Sequence, residues 1–151
     1  MSRKDKNINK KSIKDESEIL WLFPKVNVLL RRKMQKELSQ YELLWEQWSI
    51  LSKIYRNEGV NQKKIAEISI KNEAAVTRTL NYLEGKNLVS REKSEKDKRE
   101  YLIYLTENGR KIYEESEEVY FKILNDINNI FKKEELKNLK KSLNKLIDNL
   151  H

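Results

Sequence analysis

The residues of this chain with the most chemistry to offer are cations placed beside short polar side chains. Thr77 and Arg78 lie in a helical run from Ala74 to Lys86. Two strand-like segments follow, Leu88 to Lys93 and Arg99 to Leu105, around a charged turn at Ser94 to Lys98. An arginine on a helix can pair bidentately with guanine in the major groove, and a threonine can touch a thymine methyl or a phosphate. Ala74 and Ala75 are small enough to let such a helix approach closely. An arginine at a hairpin tip, here Arg99, can enter the minor groove, where negative potential is deepest in AT-rich sequence. Asp97, two residues earlier, would brace its guanidinium through a charge-assisted bond. A helix followed by a basic hairpin suits a grip on duplex DNA in two grooves at once. Asn72, Lys71, Gln62 and Lys63, with Lys64, lie near helix starts and would serve phosphates, which position without specifying. Lys96 and Lys98, with Lys93, add charge to the hairpin and would make binding salt-sensitive.

Other chemistries are excluded by what the chain lacks. There is no Cys among the 151 residues, so disulfides, thiolate metal sites and cysteine redox sensing are out. The one His is the terminal His151, a poor position for a general base or metal ligand. Asp and Glu are interleaved with Lys along helix surfaces, which reads as a solvated face and argues against an enzyme. No metal or cofactor is expected. The formal net charge is +8, which fits a polyanionic partner. The abundance of Lys, Asn and Ile is also what an AT-rich genome would produce, so the placement of charge decides and not its sum. The apolar run Ile19 to Phe23 is too short to span a bilayer, and the basic start lacks the apolar core of a signal peptide. A cytoplasmic protein with no membrane partner is expected.

The elements that must hold these residues read as mainly helical. Three Gly and one Pro leave few turn residues for a sandwich or barrel. Residues 1–15 are polar and Lys-rich and are expected to form a disordered basic arm. From Glu16 to Tyr41, Ile19, Leu20, Phe23, Val26, Leu29, Leu30, Met34 and Leu38 recur at helical steps, with Pro24 either opening the main helix or kinking it. Leu43 to Glu58 is a second helix, with Leu44, Trp48, Leu51, Ile54 and Tyr55 on one face and Gly59 as its C-cap. A third helix, Gln62 to Ile68, has Asn61 as N-cap, with Ile65 and Ala66 inward. A fourth runs from Asn72 to Gly85, with Ala75 or Val76, Thr79, Leu80 and Leu83 inward. Two short helices joined by a tight turn make a helix-turn-helix. Asn87 suits the left-handed residue that ends the fourth helix. Thr106 caps a helix to Phe131, and a last helix runs from Glu134 to Leu150. These terminal helices exceed what a winged helix-turn-helix needs, so they are expected to form a dimerisation layer. The predicted fold is mainly α, in the α+β class. Residues 43–106 form the DNA-binding lobe, and residues 16–42 and 107–151 the dimerisation region.

Specific stretches then resemble a known family. Gln47-Trp48 followed by Leu51 resembles the second-helix motif of MarR-family transcriptional regulators. Val76-Thr77-Arg78-Thr79-Leu80, Leu83-Glu84 and Leu88-Val89-Ser90-Arg91 resemble that family's recognition helix and first wing strand. Asp97-Lys98-Arg99, Leu105-Thr106 and Gly109 resemble its wing signature. The likeness covers roughly residues 20–150. The family usually has Gly where Asn87 stands, and Thr or Ser near Leu44. The resemblance implies a ligand-responsive homodimeric repressor on a pseudo-palindromic operator, and the same roles for Arg99 and Asp97. It also implies a small aromatic effector between the dimerisation layer and the DNA-binding lobe. Met34, Trp48, Tyr55 and Tyr113 are the candidate lining residues, against a plainer reading as core. The rival to the whole scheme is a winged-helix protein-interaction module without DNA binding, which would show no salt-dependent affinity for any duplex.

Overall fold

A computed structural model describes the chain from Arg3 to Leu150, with side chains from Ser17 onward. The elements in order are α1 (Arg3–Leu38), a 3-10 turn (Ser39–Tyr41), α2 (Trp45–Arg56), β1 (Val60–Asn61), α3 (Gln62–Ser69), α4 (Glu73–Gly85), β2 (Val89–Lys93), β3 (Tyr101–Leu105), α5 (Glu107–Ile130) and α6 (Lys133–Asn149). The sheet is antiparallel with order β1-β3-β2. This is a winged helix-turn-helix, with α3 and α4 as the helix pair and β2–β3 as the wing.

One core holds the lobe together. Trp48, Ile50, Leu51 and Ile54 of α2 meet Ile65 and Ala66 of α3, Val76, Leu80 and Leu83 of α4, and Ile103 of β3, all buried. The spacing of three and four in each helix places these side chains on one stripe. Asn61 caps α3 by accepting from Lys64 N at 2.8 Å, and Asn72 caps α4 by accepting from Ala75 N at 2.8 Å. Asn87 takes φ 55°, as its place after α4 predicts. Thr106 caps α5 by accepting from Gly109 N at 2.9 Å, and its hydroxyl donates to Asn87 O at 2.7 Å.

Several expectations are corrected. The helical backbone of α1 extends to Arg3, where a disordered arm was expected from residue 1 to 15; Met1 and Ser2 lie outside the described residues, as does His151. The segment contains neither Gly nor Pro, so a helix nucleated downstream can propagate through it. Pro24 is carried inside this helix and does not open it. Gly59 does not cap α2: Asn57 holds that place, and Gly59, at φ 79°, turns the chain into β1. The two-residue β1 was not foreseen, because its register with Ile103 and Leu102 is set by a strand 40 residues on. Leu44 is exposed, not inward, because it is the N-cap position of α2. Two backbone donors at this helix start are met by glutamine side chains. Gln47 Oε1 accepts from Leu44 N and Gln35 Oε1 from Trp45 N, both at 2.9 Å.

The terminal helices pack only partly on their own chain. Met34 and Leu38 of α1 and Val119 and Ile123 of α5 are buried, but Ile19, Leu20, Trp21, Leu22, Phe23, Val26 and Leu29 of α1 are exposed. In α6, Leu139, Leu143, Leu146 and Ile147 are exposed as well. Among the described residues, no helix is long and apolar enough to cross a membrane.

Candidate nucleic-acid interface

An open concavity of about 600 Å³ lies between the start of α3, the exposed face of α4 and the wing. Of the residues singled out by sequence, Gln62, Lys63, Thr77 and Arg99 line it. Arg78, on the same helix as Thr77, is exposed and has no partner among the described residues. Ala74 is exposed and Ala75 half-buried; Val76 takes the inward place that Ala75 was an alternative for. Lys71, Lys96 and Lys98 are exposed, and none of them lines the concavity.

The wing tip is an ordered loop that presents Arg99. Ser94 is buried, and its hydroxyl oxygen accepts from Lys96 N at 3.2 Å and Asp97 N at 3.3 Å. Ser94 N donates to Glu100 O and Glu100 N to Asp97 O, both at 2.9 Å. Asp97 Oδ1 then accepts from Arg99 N at 2.9 Å and faces Arg99 Nε at 3.5 Å. Asp97 thus holds the Arg99 backbone amide, while the expected brace on the guanidinium amounts to one contact at 3.5 Å. The Arg99 side chain is 93 % exposed, so the pair adds little stability and its effect is orientation.

Three expected phosphate or base contacts are engaged inside the protein. Thr77 Oγ1 donates its one proton to Glu73 O at 2.7 Å and accepts from Gln62 Nε2 at 2.5 Å. Gln62 thus ties the start of α3 to α4, and Thr77 has no hydroxyl proton left for a phosphate. Asn72 is likewise held as the cap of α4. These three residues position the helix pair.

Sequence reasoning passed over the residues that join wing to helix. Arg91 of β2 donates from Nη1 to Glu84 Oε2 at 2.7 Å and from Nη2 to Asn81 Oδ1 at 2.8 Å. Asn61 Nδ2 donates to Glu100 Oε1 at 3.0 Å, tying β1 to the end of the wing loop. Arg91 and Glu84 stood in the sequence only as parts of the family motif, and Asn61 only as an N-cap, with nothing to pair them across the fold.

Met34, Trp48 and Tyr113 belong to the buried core, and Tyr55 packs against it. Trp48 stacks on Tyr113 at 5.7 Å between ring centroids, and Tyr55 meets Tyr113 at 4.5 Å. A polar seam joins the same helices. Trp48 Nε1 donates to Ser116 Oγ at 2.9 Å and the Ser52 and Tyr113 hydroxyls lie 3.3 Å apart, while Arg110 of α5 donates to Glu58 Oε2, just past α2, at 2.7 Å; within α5, Tyr113 donates to Glu117 Oε1 at 3.0 Å. The plainer reading as core describes this packing, in which the rings of α2 and α5 lie against one another. Burial pushes the Tyr113 phenol above its ordinary range, and its bond to Glu117 adds to that, with Ser52 acting the other way.

The arrangement of helix pair, braced wing and long terminal helices defines a winged helix-turn-helix of the regulator type. Residues 43–101 match the sequence model of the MarR family. The transcriptional regulator SarZ of Staphylococcus aureus is 31% identical over 111 residues, covering 74% of this chain and 75% of SarZ. The chain belongs to the MarR family of transcription regulators, which are not enzymes. Among solved structures, the S. aureus MepR–DNA complex superposes with a TM-score of 0.84 at 26% identity, covering 87% of this chain and 96% of MepR. Wild-type MarR of E. coli, in its apo form, gives 0.71 at 25% identity, covering 83% of this chain and 93% of MarR.

Proposed function

We propose that this chain is a ligand-responsive repressor that binds a pseudo-palindromic operator in double-stranded DNA as a homodimer, in the cytoplasm. The observation that carries this reading is the pairing of Arg78 on α4, exposed and without a partner among the described residues, with an outward Arg99 on the ordered wing loop. One cation is suited to a base edge in the major groove and the other to the adjacent minor groove. That MepR, a structural relative, was solved as a complex with DNA supports DNA as the partner here.

The exposed apolar faces of α1, α5 and α6 support the homodimer. Trp21 is 75 % exposed, Phe121 55 % and Ile147 50 %. Exposed apolar faces of this kind suit an interaction surface, and a two-fold copy of the same surface would cover them. Twin α4 helices would then meet half-sites about one turn of DNA apart, roughly 34–36 Å. An effector would act by changing the separation of these helices, a population shift between DNA-competent and incompetent dimers. The family resemblance supports the repressor sign and the ligand response. Met34, Trp48, Tyr55 and Tyr113, packed as they are, give no support for an effector seated among them.

Selection of duplexes from a random pool tests the proposal. Wild-type protein is expected to enrich a two-fold symmetric site. Arg78→Ala should relax base preference at one position per half-site by about 1–3 kcal/mol. A chain that remains a single subunit at micromolar concentration, or that ignores every duplex in dilute buffer, refutes the proposal and favours a protein-interaction module.

A further inference from the structure

We infer that Asn81 is a specificity-determining residue of the DNA surface, and that Arg91 is the positioning residue that decides which bases it reads. The inference rests on the DNA-binding reading above. Asn81 is exposed on α4, four residues after Thr77 and three after Arg78, so it shares their helical face. It lines the same concavity as Arg99. Its amide is not free to rotate: Arg91 Nη2 lies 2.8 Å from Asn81 Oδ1. Arginine carries donors and no acceptor, so the atom facing it must be the amide oxygen.

This orientation has a consequence for recognition. An unrestrained asparagine reads adenine with both ends of its amide, accepting from N6 and donating to N7. Here the oxygen faces Arg91, and the NH2 group has no partner among the described residues. Arg91 takes one lone pair of that oxygen and fixes the amide plane, so the end left wholly unpartnered is the NH2, whose donors match guanine N7 and O6 or thymine O4. Arg91 is well placed to hold this state. It is paired in register with the buried Ile103, and its side chain is only 18 % exposed. Its other arm neutralises Glu84, an anion on the recognition helix that would otherwise repel phosphate.

The test is selection from the random duplex pool with the full-length protein, alongside thermal melting. Wild type should enrich guanine or thymine at one position per half-site beyond the one that depends on Arg78. Asn81→Ala should lower that preference about tenfold and leave the Arg78-dependent position unchanged. Arg91→Ala releases the amide, so the enriched base at the same position should move toward adenine. It should also weaken binding to all duplexes, because Glu84 is left uncompensated. Adding Glu84→Gln to Arg91→Ala should recover the general loss and keep the changed base. A purely structural role for Arg91 would weaken every position alike. Asn81→Ala is on an exposed face and serves as the test if Arg91→Ala does not fold. The inference is overturned if Asn81→Ala leaves all positions unchanged, or if wild type already selects adenine there. It is also overturned if a folded Arg91→Ala keeps the wild-type base. Each of these leaves the operator-binding reading standing, whereas a wild type that enriches no duplex overturns both.

Discussion

Gly109→Ala sets two physical effects of opposite sign against each other. Gly109 is in the first turn of α5, where alanine is the better helix former by about 1 kcal/mol. Propensity alone predicts a gain in stability. The packing predicts a loss. A Cβ on Gly109 would stand 1.8 Å from Leu88 O and 2.7 Å from Leu88 C. Ordinary contact begins at 3.4 Å, so the start of α5 must withdraw by 3.4 less 1.8, about 1.6 Å. The obstacle is backbone and cannot rotate aside. Two bonds cross this junction: Thr106 N donates to Leu88 O at 3.1 Å, and Thr106 Oγ1 to Asn87 O at 2.7 Å. Losing both costs about 1 kcal/mol each, and leaving partly buried groups unsatisfied adds about 1–2 kcal/mol more. After the propensity gain, the net loss is about 2–3 kcal/mol. For a domain of this size that lowers Tm by about 5–10 °C. The junction also anchors the base of the wing, so operator affinity should fall together with Tm. Circular dichroism melting and a duplex titration measure both. An unchanged or raised Tm would refute the close-approach argument.

Arg99→Ala should leave Tm unchanged, since the side chain is 93 % exposed, and should reduce the slope of log affinity against log salt by about 1. The loss should be greatest on sites with AT-rich flanks; equal loss on GC-rich flanks would count against minor-groove insertion. Tyr113→Phe tests the buried phenol. Its folded pKa is raised by burial, so the stability it contributes is full below the unfolded value near 10 and is lost as pH rises through the folded value. The difference in Tm between wild type and Tyr113→Phe should therefore shift in favour of the variant in strong alkali; parallel curves up to pH ~11 would refute this. Lys53, whose pKa burial lowers, is common to both proteins and cancels. Ile70→Asn should stabilise by about 1 kcal/mol, because Ile70 is a β-branched residue at φ 51° with 81 % exposure and little packing to lose. A lower Tm would mean that the isoleucine side chain is held by contacts this packing does not contain.

The sequence by itself determined the helices of the DNA-binding lobe, the two wing strands and several of the helix ends. Helical spacing located the buried stripes of α2, α3 and α4, and Asn61, Asn72, Asn87 and Thr106 marked the ends. These signals are local, because a cap or a stripe depends on neighbours within about one turn. Asp97 and Arg99 were legible for the same reason, being two residues apart. Tertiary structure alone decided what joins elements distant in the chain. It placed Val60 on Ile103, gave the Thr77 hydroxyl to Gln62, and set the Arg91 fork on Asn81 and Glu84. It also turned Met34, Trp48 and Tyr113 from cleft candidates into packed core. No pattern of residue types announces such contacts. A side chain's partner across the fold is fixed by how whole elements dock, and only that docking tells a polar group facing DNA from one already bonded within the protein.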